Sequence, residues 1–253
     1  MKKLTIFLAS VFFTLSIVGS SNAMLVDLEL SLLVDVSGSV NASEFNLQKQ
    51  GYANAFNNVN IWNAIDQGAF SRIAVNLVYW SGANQQTEVV GWTLIDSQTA
   101  ANTFANAISG TTRHFNGATA IQSALQWGTG RFVNNGFEGT RSVIDVSGDG
   151  VRNSGLNGTV GRDYALSHGI DTINGIVIGG GNSVFGYYNS NVVGGTNAFS
   201  MQVNSFGQFG EAIDRKLIRE ISNEVPEPST LLLMGAGIFG LVSYGRKRSS
   251  KQK

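Results

Sequence analysis

Residues 32–40 read Leu-Leu-Val-Asp-Val-Ser-Gly-Ser-Val, an apolar strand that runs straight into one acid and two hydroxyls. A strand as apolar as residues 30–34 has to be covered on both faces, the condition of a parallel sheet with helices on each side. In doubly wound folds of that kind, ligands bind at the carboxyl ends of the strands. Asp35 stands at such an end. Gly38 lets the backbone turn tightly, and Ser37 and Ser39 then set neutral oxygens beside the Asp35 carboxylate, a donor set for a hard cation.

The two ends of the chain read as export signals. Residues 1–23 contain Lys2 and Lys3, an apolar run over 4–18 and small residues up to Ser21-Asn22-Ala23. That is the layout of a secretory signal peptide cleaved after Ala23; an uncleaved membrane anchor is the alternative, although the apolar run is short for a span. At the other end, Val225-Pro226-Glu227-Pro228 holds both prolines of the protein, followed by an apolar stretch over 231–244 and then Arg246-Lys247-Arg248. Prolines stop a helix arriving from the domain, and the basic cluster acts as a cytoplasmic stop for a transmembrane segment. This three-part tail resembles the PEP-CTERM sorting signal of Gram-negative bacteria. The resemblance implies transient insertion into the inner membrane, cleavage near the motif by an exosortase, and release toward the cell surface or an extracellular matrix of exopolysaccharide. A permanent anchor packing through Gly235, Gly237 and Gly240 is the competing reading. The organisation expected is a signal peptide at 1–23, one domain at 24–224 and a sorting tail at 225–253.

About 200 residues between these ends suffice for one domain with a sizeable core. Seven of the 17 Lys and Arg residues lie in the two ends, whereas 16 of the 17 acids lie within 24–224, so the domain is acidic although the whole chain is formally neutral. An acidic domain is a poor partner for nucleic acid. Cysteine is absent, so an exported domain relies on its core, and on a metal if one binds, in place of disulfides.

Hydrophobic patterning predicts alternating strands and helices. Strands are expected at 25–36, 72–80, 87–95, 141–146, 172–178 and 191–203, the second and third forming a hairpin. Helices are expected at 43–57 with Ser43 as cap, from a cap at Asp96 or Ser97 through 108, and at 119–133, 160–167 and 206–221. The fold class is therefore α/β: a doubly wound, mainly parallel sheet with helices on both faces and one antiparallel edge strand.

The Asp-x-Ser-x-Ser run after a strand resembles the metal-ion-dependent adhesion site of von Willebrand factor A domains, and the resemblance extends over most of residues 25–221. Thr119, in Gly117-Ala118-Thr119-Ala120-Ile121 before a helix, matches that family's third hydroxyl. Asp149-Gly150, after Val143-Ile144-Asp145-Val146-Ser147, matches its second acid. The resemblance makes Ser37, Ser39 and Thr119 direct metal ligands, and Asp35 and Asp149 direct or water-bridged ones. Parallel strands end along one edge, so Asp35, Thr119 and Asp149 can converge despite their separation in sequence. Two carboxylates and three hydroxyls suit Mg2+ best, with Mn2+ or Ca2+ as possible occupants. Asp145 is an acid inside an apolar strand and needs a partner; it is expected to accept from Ser37 or Ser39 behind the metal, with ligation in place of Asp149 as the alternative.

Other chemistries are poorly supported. His114 and His168 lie far apart with no zinc spacing. Ser147 lacks the Gly-x-Ser-x-Gly elbow of a hydrolase, and Gly179-Gly180-Gly181 lacks the spacing of a phosphate-binding turn. The glycines are expected to form a flexible surface loop leading to the aromatics Phe185, Tyr187 and Tyr188, which are expected to pack against the last strand. The chain reads as a non-enzymatic surface or exopolysaccharide-associated binding protein that engages an acidic group on a protein or polysaccharide partner through its cation. A structural matrix protein stabilised by that cation is the alternative.

Overall fold

Leu28–Asp35 is buried at every position, and this strand is the axis about which the rest of the chain is laid down. A computed structural model describes residues 23–223. The expected signal peptide, apart from its last residue, and the tail at 225–253 lie outside the described residues.

The elements run β1 (Met24–Val26), β2 (Leu28–Asp35), α1 (Ala42–Asn57), α2 (Val59–Asp66), β3 (Ile73–Trp80), β4 (Gln86–Ile95), α3 (Gln98–Ser109), α4 (Ile121–Thr129), β5 (Phe137–Gly139), β6 (Ser142–Gly148), α5 (Val160–Ser167), β7 (Thr172–Ile178), α6 (Gly181–Tyr187), β8 (Gly194–Gly195), β9 (Ser200–Val203) and α7 (Phe209–Ser222). The main sheet is ordered β4-β3-β2-β6-β7-β8, with β9 also paired to β7. The β3–β2–β6–β7–β9 pairings are parallel, while β4 forms the expected antiparallel hairpin with β3 and the two-residue β8 lies antiparallel to β7.

Alternation along β2 divides the core in two. Leu30, Leu32 and Val34 face a cluster containing Phe45, Tyr52 and Phe56 of α1, Phe104 of α3 and Ile213 and Leu217 of α7. Leu33 faces the other side, with Ile121 and Leu125 of α4, Ala165 of α5 and Tyr188. Both faces of the sheet are thus covered, as its apolar strands require, and the doubly wound α/β class read from the sequence is the class of the structure.

Local chemistry corrects several boundaries. The first strand is broken at Asp27, whose carboxylate accepts from the amides of Phe70 and Arg72; β1 then pairs with β5 in a separate two-stranded sheet. Helix α1 is capped by Asn41 and not Ser43: the Asn41 side chain accepts from the amides of Ser43 and Glu44, and the Glu44 carboxylate accepts from the Asn41 amide, a capping box. The helix expected over 119–133 spans only Ile121–Thr129, with a 3-10 turn at Gly130–Phe132. No single strand covers 191–203, because Gly195 and Asn197 take positive φ values of 91° and 55° and turn the chain between β8 and β9. Residues 179–181 are not a loose loop: all three glycines have φ near 65° and lead directly into α6. Tyr188, at the end of that segment, is fully buried against β7, with its ring beside Gly175.

A charged cluster lies inside the first core. Lys216 of α7 donates to Asp145 of β6 and to Glu220 one helical turn on, and Asn174 of β7 donates to Glu220 at 2.8 Å. All three charged side chains are fully buried, and one oxygen of each carboxylate lacks a partner. One cation faces two carboxylates, so the neutral state of the cluster holds a proton. Burial, followed by repulsion from Asp145, pushes the Glu220 carboxyl up to about 7; burial also raises Asp145.

The sign of the resulting pH dependence follows. A carboxyl whose folded pKa is raised binds its proton more tightly in the folded state, so its contribution is complete below pH 4.5 and is lost as pH rises toward 7. Glu220→Gln keeps the bonds to Lys216 and Asn174, and its unfolding free energy will fall less than wild type between pH 4.5 and 7. Lys216→Met leaves two buried carboxylates without a cation and will cost about 3–5 kcal/mol at pH 7, less at pH 5. Denaturant melts across this range check both.

Candidate metal centre

The site grows from the carboxyl edge of the sheet. Asp35 ends β2 beside Trp80 of β3, and β6 ends alongside, with Val34 opposite Ser147. Just past Asp35 the Ser37 amide donates to Asp35 Oδ1 at 2.7 Å, folding the loop back over its own acid. The Gly38 amide then donates to Gly117 O at 2.8 Å, docking this loop on the one that carries Thr119. Gly38 does not have a positive φ, and a Cβ there would meet Gly117 O at an ordinary 3.4 Å, so the turn does not require glycine in the way the sequence suggested.

The structure brings five of the six candidate residues together. Ser37 Oγ lies 3.2 Å from Ser39 Oγ, Thr119 Oγ1 donates to Ser37 Oγ at 3.2 Å, and Ser39 Oγ donates to Asp149 Oδ1 at 2.7 Å. Asp35, Ser37 and Thr119 are buried, while Ser39 is exposed and Asp149 half-exposed, so the cluster opens to solvent on one side. Asp145 is the exception. It lies in the middle of β6, four residues and about 13 Å of strand below Asp149, and its carboxylate is spent on Lys216. It neither joins the cluster nor accepts from Ser37 or Ser39, because a residue that far from the strand's end faces the helix covering the sheet and not the edge.

Asp35 Oδ2 is buried with no hydrogen-bond partner. Burial drives the Asp35 carboxyl up to about 7; the bonds from Ser37 oppose this, Asp149 adds to it and Arg113 pulls the other way. Asp149 is also raised, chiefly by burial. An unpaired buried carboxylate oxygen, a second carboxylate and three hydroxyls form an all-oxygen donor set that favours a divalent cation, which would offset the cost of burying the charge. No cluster of three or more His, Cys, Asp or Glu residues occurs among the described residues; a site built mostly of hydroxyls does not need one. Ser37, Ser39, Thr119, Asp35 and Asp149 would hold the ion, which would supply a Lewis-acidic position facing solvent.

Four further residues around the site were not assigned to it from the sequence. Ser81, after β3, accepts from the Gly117 amide at 2.8 Å and donates to Ala118 O at 3.0 Å, fixing the loop ahead of Thr119. Asn153 accepts from the Thr119 amide at 2.8 Å and returns its own amide to Thr119 O at 3.0 Å. Arg113 clamps the first loop, donating to Val36 O at 2.8 Å and Ser37 O at 2.6 Å. Tyr188 places a buried, unpartnered hydroxyl near Asp35 across Gly148. Ser, Asn and Arg in loops are too common to stand out by pattern. Tyr188 was visible only as an aromatic after a glycine run.

The family profile described as "Protein of unknown function (DUF1194)" matches residues 25–225, and the PEP-CTERM protein-sorting motif matches residues 224–248. No curated protein matches the sequence. Similar solved structures include proximal thread matrix protein 1 from the mussel byssus, with a zinc-occupied MIDAS motif; the TM-score is 0.57 and the identity 14%, over 79% of this chain and 49% of that one. The pilus adhesin SpaC from Lactobacillus rhamnosus GG gives 0.56 and 16%, over 79% and 31%. A von Willebrand factor type A protein from Catenulispora acidiphila gives 0.52 and 15%, over 78% and 43%. At these identities the likeness is one of fold, that of the von Willebrand A domain. The chain spans half or less of the length of each of these structures.

Gly148 is where the site has least room. A Cβ there would lie 2.5 Å from Tyr188 Oη and 3.0 Å from Asp35 Oδ2. Gly148→Ala will displace the Asp35 carboxylate and weaken divalent-cation binding roughly tenfold or more, with a loss of about 1–3 kcal/mol in stability from overpacking. Calorimetric titration and thermal melts of the variant check the two effects.

Proposed function

The chain belongs to the DUF1194 family, a von Willebrand A-like family, and from that premise we propose that it is an exported binding protein that grips an acidic group of a partner through a divalent cation. The observation that carries this reading is the buried, unpartnered Asp35 Oδ2 beside Asp149 and three hydroxyls, on a cluster open to solvent. Mg2+ fits an oxygen-only set that leaves positions for water, and Mn2+ or Ca2+ can substitute. A carboxylate from the partner would replace one of those waters. The PEP-CTERM motif marks the protein as exported and processed at the membrane by an exosortase. In this reading it is held in the inner membrane before processing and is then displayed on the cell surface or in the surrounding matrix.

The protein is read as a binder and not an enzyme. His168 stacks on Tyr164 with ring centroids 3.8 Å apart and bonds its carbonyl, which is a role in closing α5. A second reading, a structural matrix protein whose cation only stabilises the fold, takes support from the mussel matrix protein among the similar structures.

Calorimetric titration of Mg2+ and Mn2+ into the metal-stripped protein will show one site, absent in Asp35→Ala. The immobilised protein will capture acidic material from matrix extracts with Mg2+ and release it in EDTA. Capture that is equal with and without the chelator overturns the binding reading; metal-dependent stabilisation with no capture at all selects the structural one.

A further inference from the structure

Beside the metal centre lies an open groove of about 460 Å3, lined by Ala83, Asn84, Gln86, Ser123, Gln126, Trp127, Gly155 and Leu156. It is built from the same three segments as the centre. The β3–β4 turn supplies Ser81 to the centre and Ala83, Asn84 and Gln86 to the groove. The loop leading into α4 supplies Thr119, and the first turn of α4 supplies Ser123. The loop after β6 supplies Asp149 and Asn153, then Gly155 and Leu156, with the Leu156 amide donating to Ser123 Oγ at 3.2 Å.

The lining carries no charged side chain, in a domain where acids outnumber bases. Its polar groups are three side-chain amides and one hydroxyl, each of which can donate and accept. Gln86 spends its amide nitrogen on Gly82 O and Ala83 O, at 2.8 and 3.2 Å, which leaves Oε1 as an acceptor. Trp127 is half-buried: it packs against the second core cluster, Arg131 covers one of its faces with the guanidinium 4.6 Å from a ring centroid, and the remainder of the indole lines the groove. Sugar rings require this combination, with hydroxyls that both donate and accept and an apolar C–H face that lies on an aromatic ring. An acidic peptide would meet only guanidinium groups already engaged, Arg131 on Trp127 and Arg152 on Gly155 O, a basic one no carboxylate in the lining, and apolar side chains no enclosed pocket.

We propose that the groove is a subsite for neutral sugar rings and that, with the metal centre taking a carboxylate, the partner is a polysaccharide whose acidic residue is flanked by neutral pyranoses. The inference rests on the metal reading of the preceding section and adds to it the class of partner. The volume suits one or two rings, and the adjacency of the two regions places them next to the acidic residue in the same chain.

The test uses the processed, full-length exported protein and soluble oligosaccharides of deacylated gellan, whose repeat has one glucuronate among neutral sugars. Neutral dextran oligosaccharides, oligogalacturonate and an Asp-rich peptide serve as comparators. Binding is measured by calorimetry with Mg2+ and with EDTA. The gellan fragment will bind more tightly than any comparator. Trp127→Ala will weaken it roughly tenfold while Mg2+ titration of the sugar-free protein is unchanged. Because Trp127 is half-buried, the Asn84→Ala/Gln126→Ala double variant, altering two exposed residues, is measured alongside and will weaken the fragment in the same way. Equal affinity of wild type and both variants for the gellan fragment overturns the groove, as does binding of the peptide or oligogalacturonate in preference to gellan, or no sugar binding at all. Failure of the metal reading looks different: groove-dependent sugar binding that persists unchanged in EDTA and in Asp35→Ala retains the sugar subsite and removes the cation.

Discussion

The carboxylate of Asp35 is held at the end of a strand buried at every position with one of its oxygens unpaired, and much of the surrounding structure is organised around that fact. A buried charge without a partner is costly. The protein leaves Asp35 Oδ2 without one, although three hydroxyls lie close by and are engaged with one another or with Asp149. The loops that carry these groups are then fixed from behind by Ser81, Asn153 and Arg113, all through main-chain groups. The donors are therefore preorganised, and a cation entering the site has little left to order.

Below that edge, the sheet carries a second polar layer on the α1/α7 side. Gln48 of α1 donates to Asp35 O at 3.1 Å and accepts from Ser147 Oγ at 3.3 Å. Two residues earlier on β6, Asp145 meets Lys216 and, through it, Glu220. One face of the sheet thus carries polar groups from the candidate metal centre down to the last helix. The two carboxylate sites solve the same electrostatic difficulty differently. Asp145 has an internal ammonium, whereas Asp35, equally buried, has the Ser37 amide on one oxygen and no partner on the other. That difference separates the acid of the core from the acid of the candidate site.

The architecture was legible because it is written in local pattern. Largely apolar, β-branched segments at β2, β3, β6 and β7 require burial on both faces, and the helical periodicity between them requires crossovers. The readings that failed were those in which a single side chain decided the outcome. Asp27 breaks the first strand by accepting two amides from a segment more than forty residues away. Asn41 displaces Ser43 as cap because Glu44 is placed to complete the box. The glycines at 179–181 were read as slack, yet consecutive left-handed residues form a defined turn into a helix that delivers Tyr188 to the core.

Sequence alone determined the α/β class, the strand ends at which Asp35 and Asp149 would appear, and the hydroxyls that accompany them. Each depends on neighbours within a few residues: an apolar run, a turn former, an acid at its end. Only the tertiary structure gave Asp145 to Lys216 and Asp149 to Ser39, set Ser81, Asn153 and Arg113 behind the loops of the candidate site, and placed a groove with no charged lining side chain beside it. Those outcomes depend on which face of a strand meets which helix and on loops brought together from segments tens of residues apart, and no local pattern encodes that geometry.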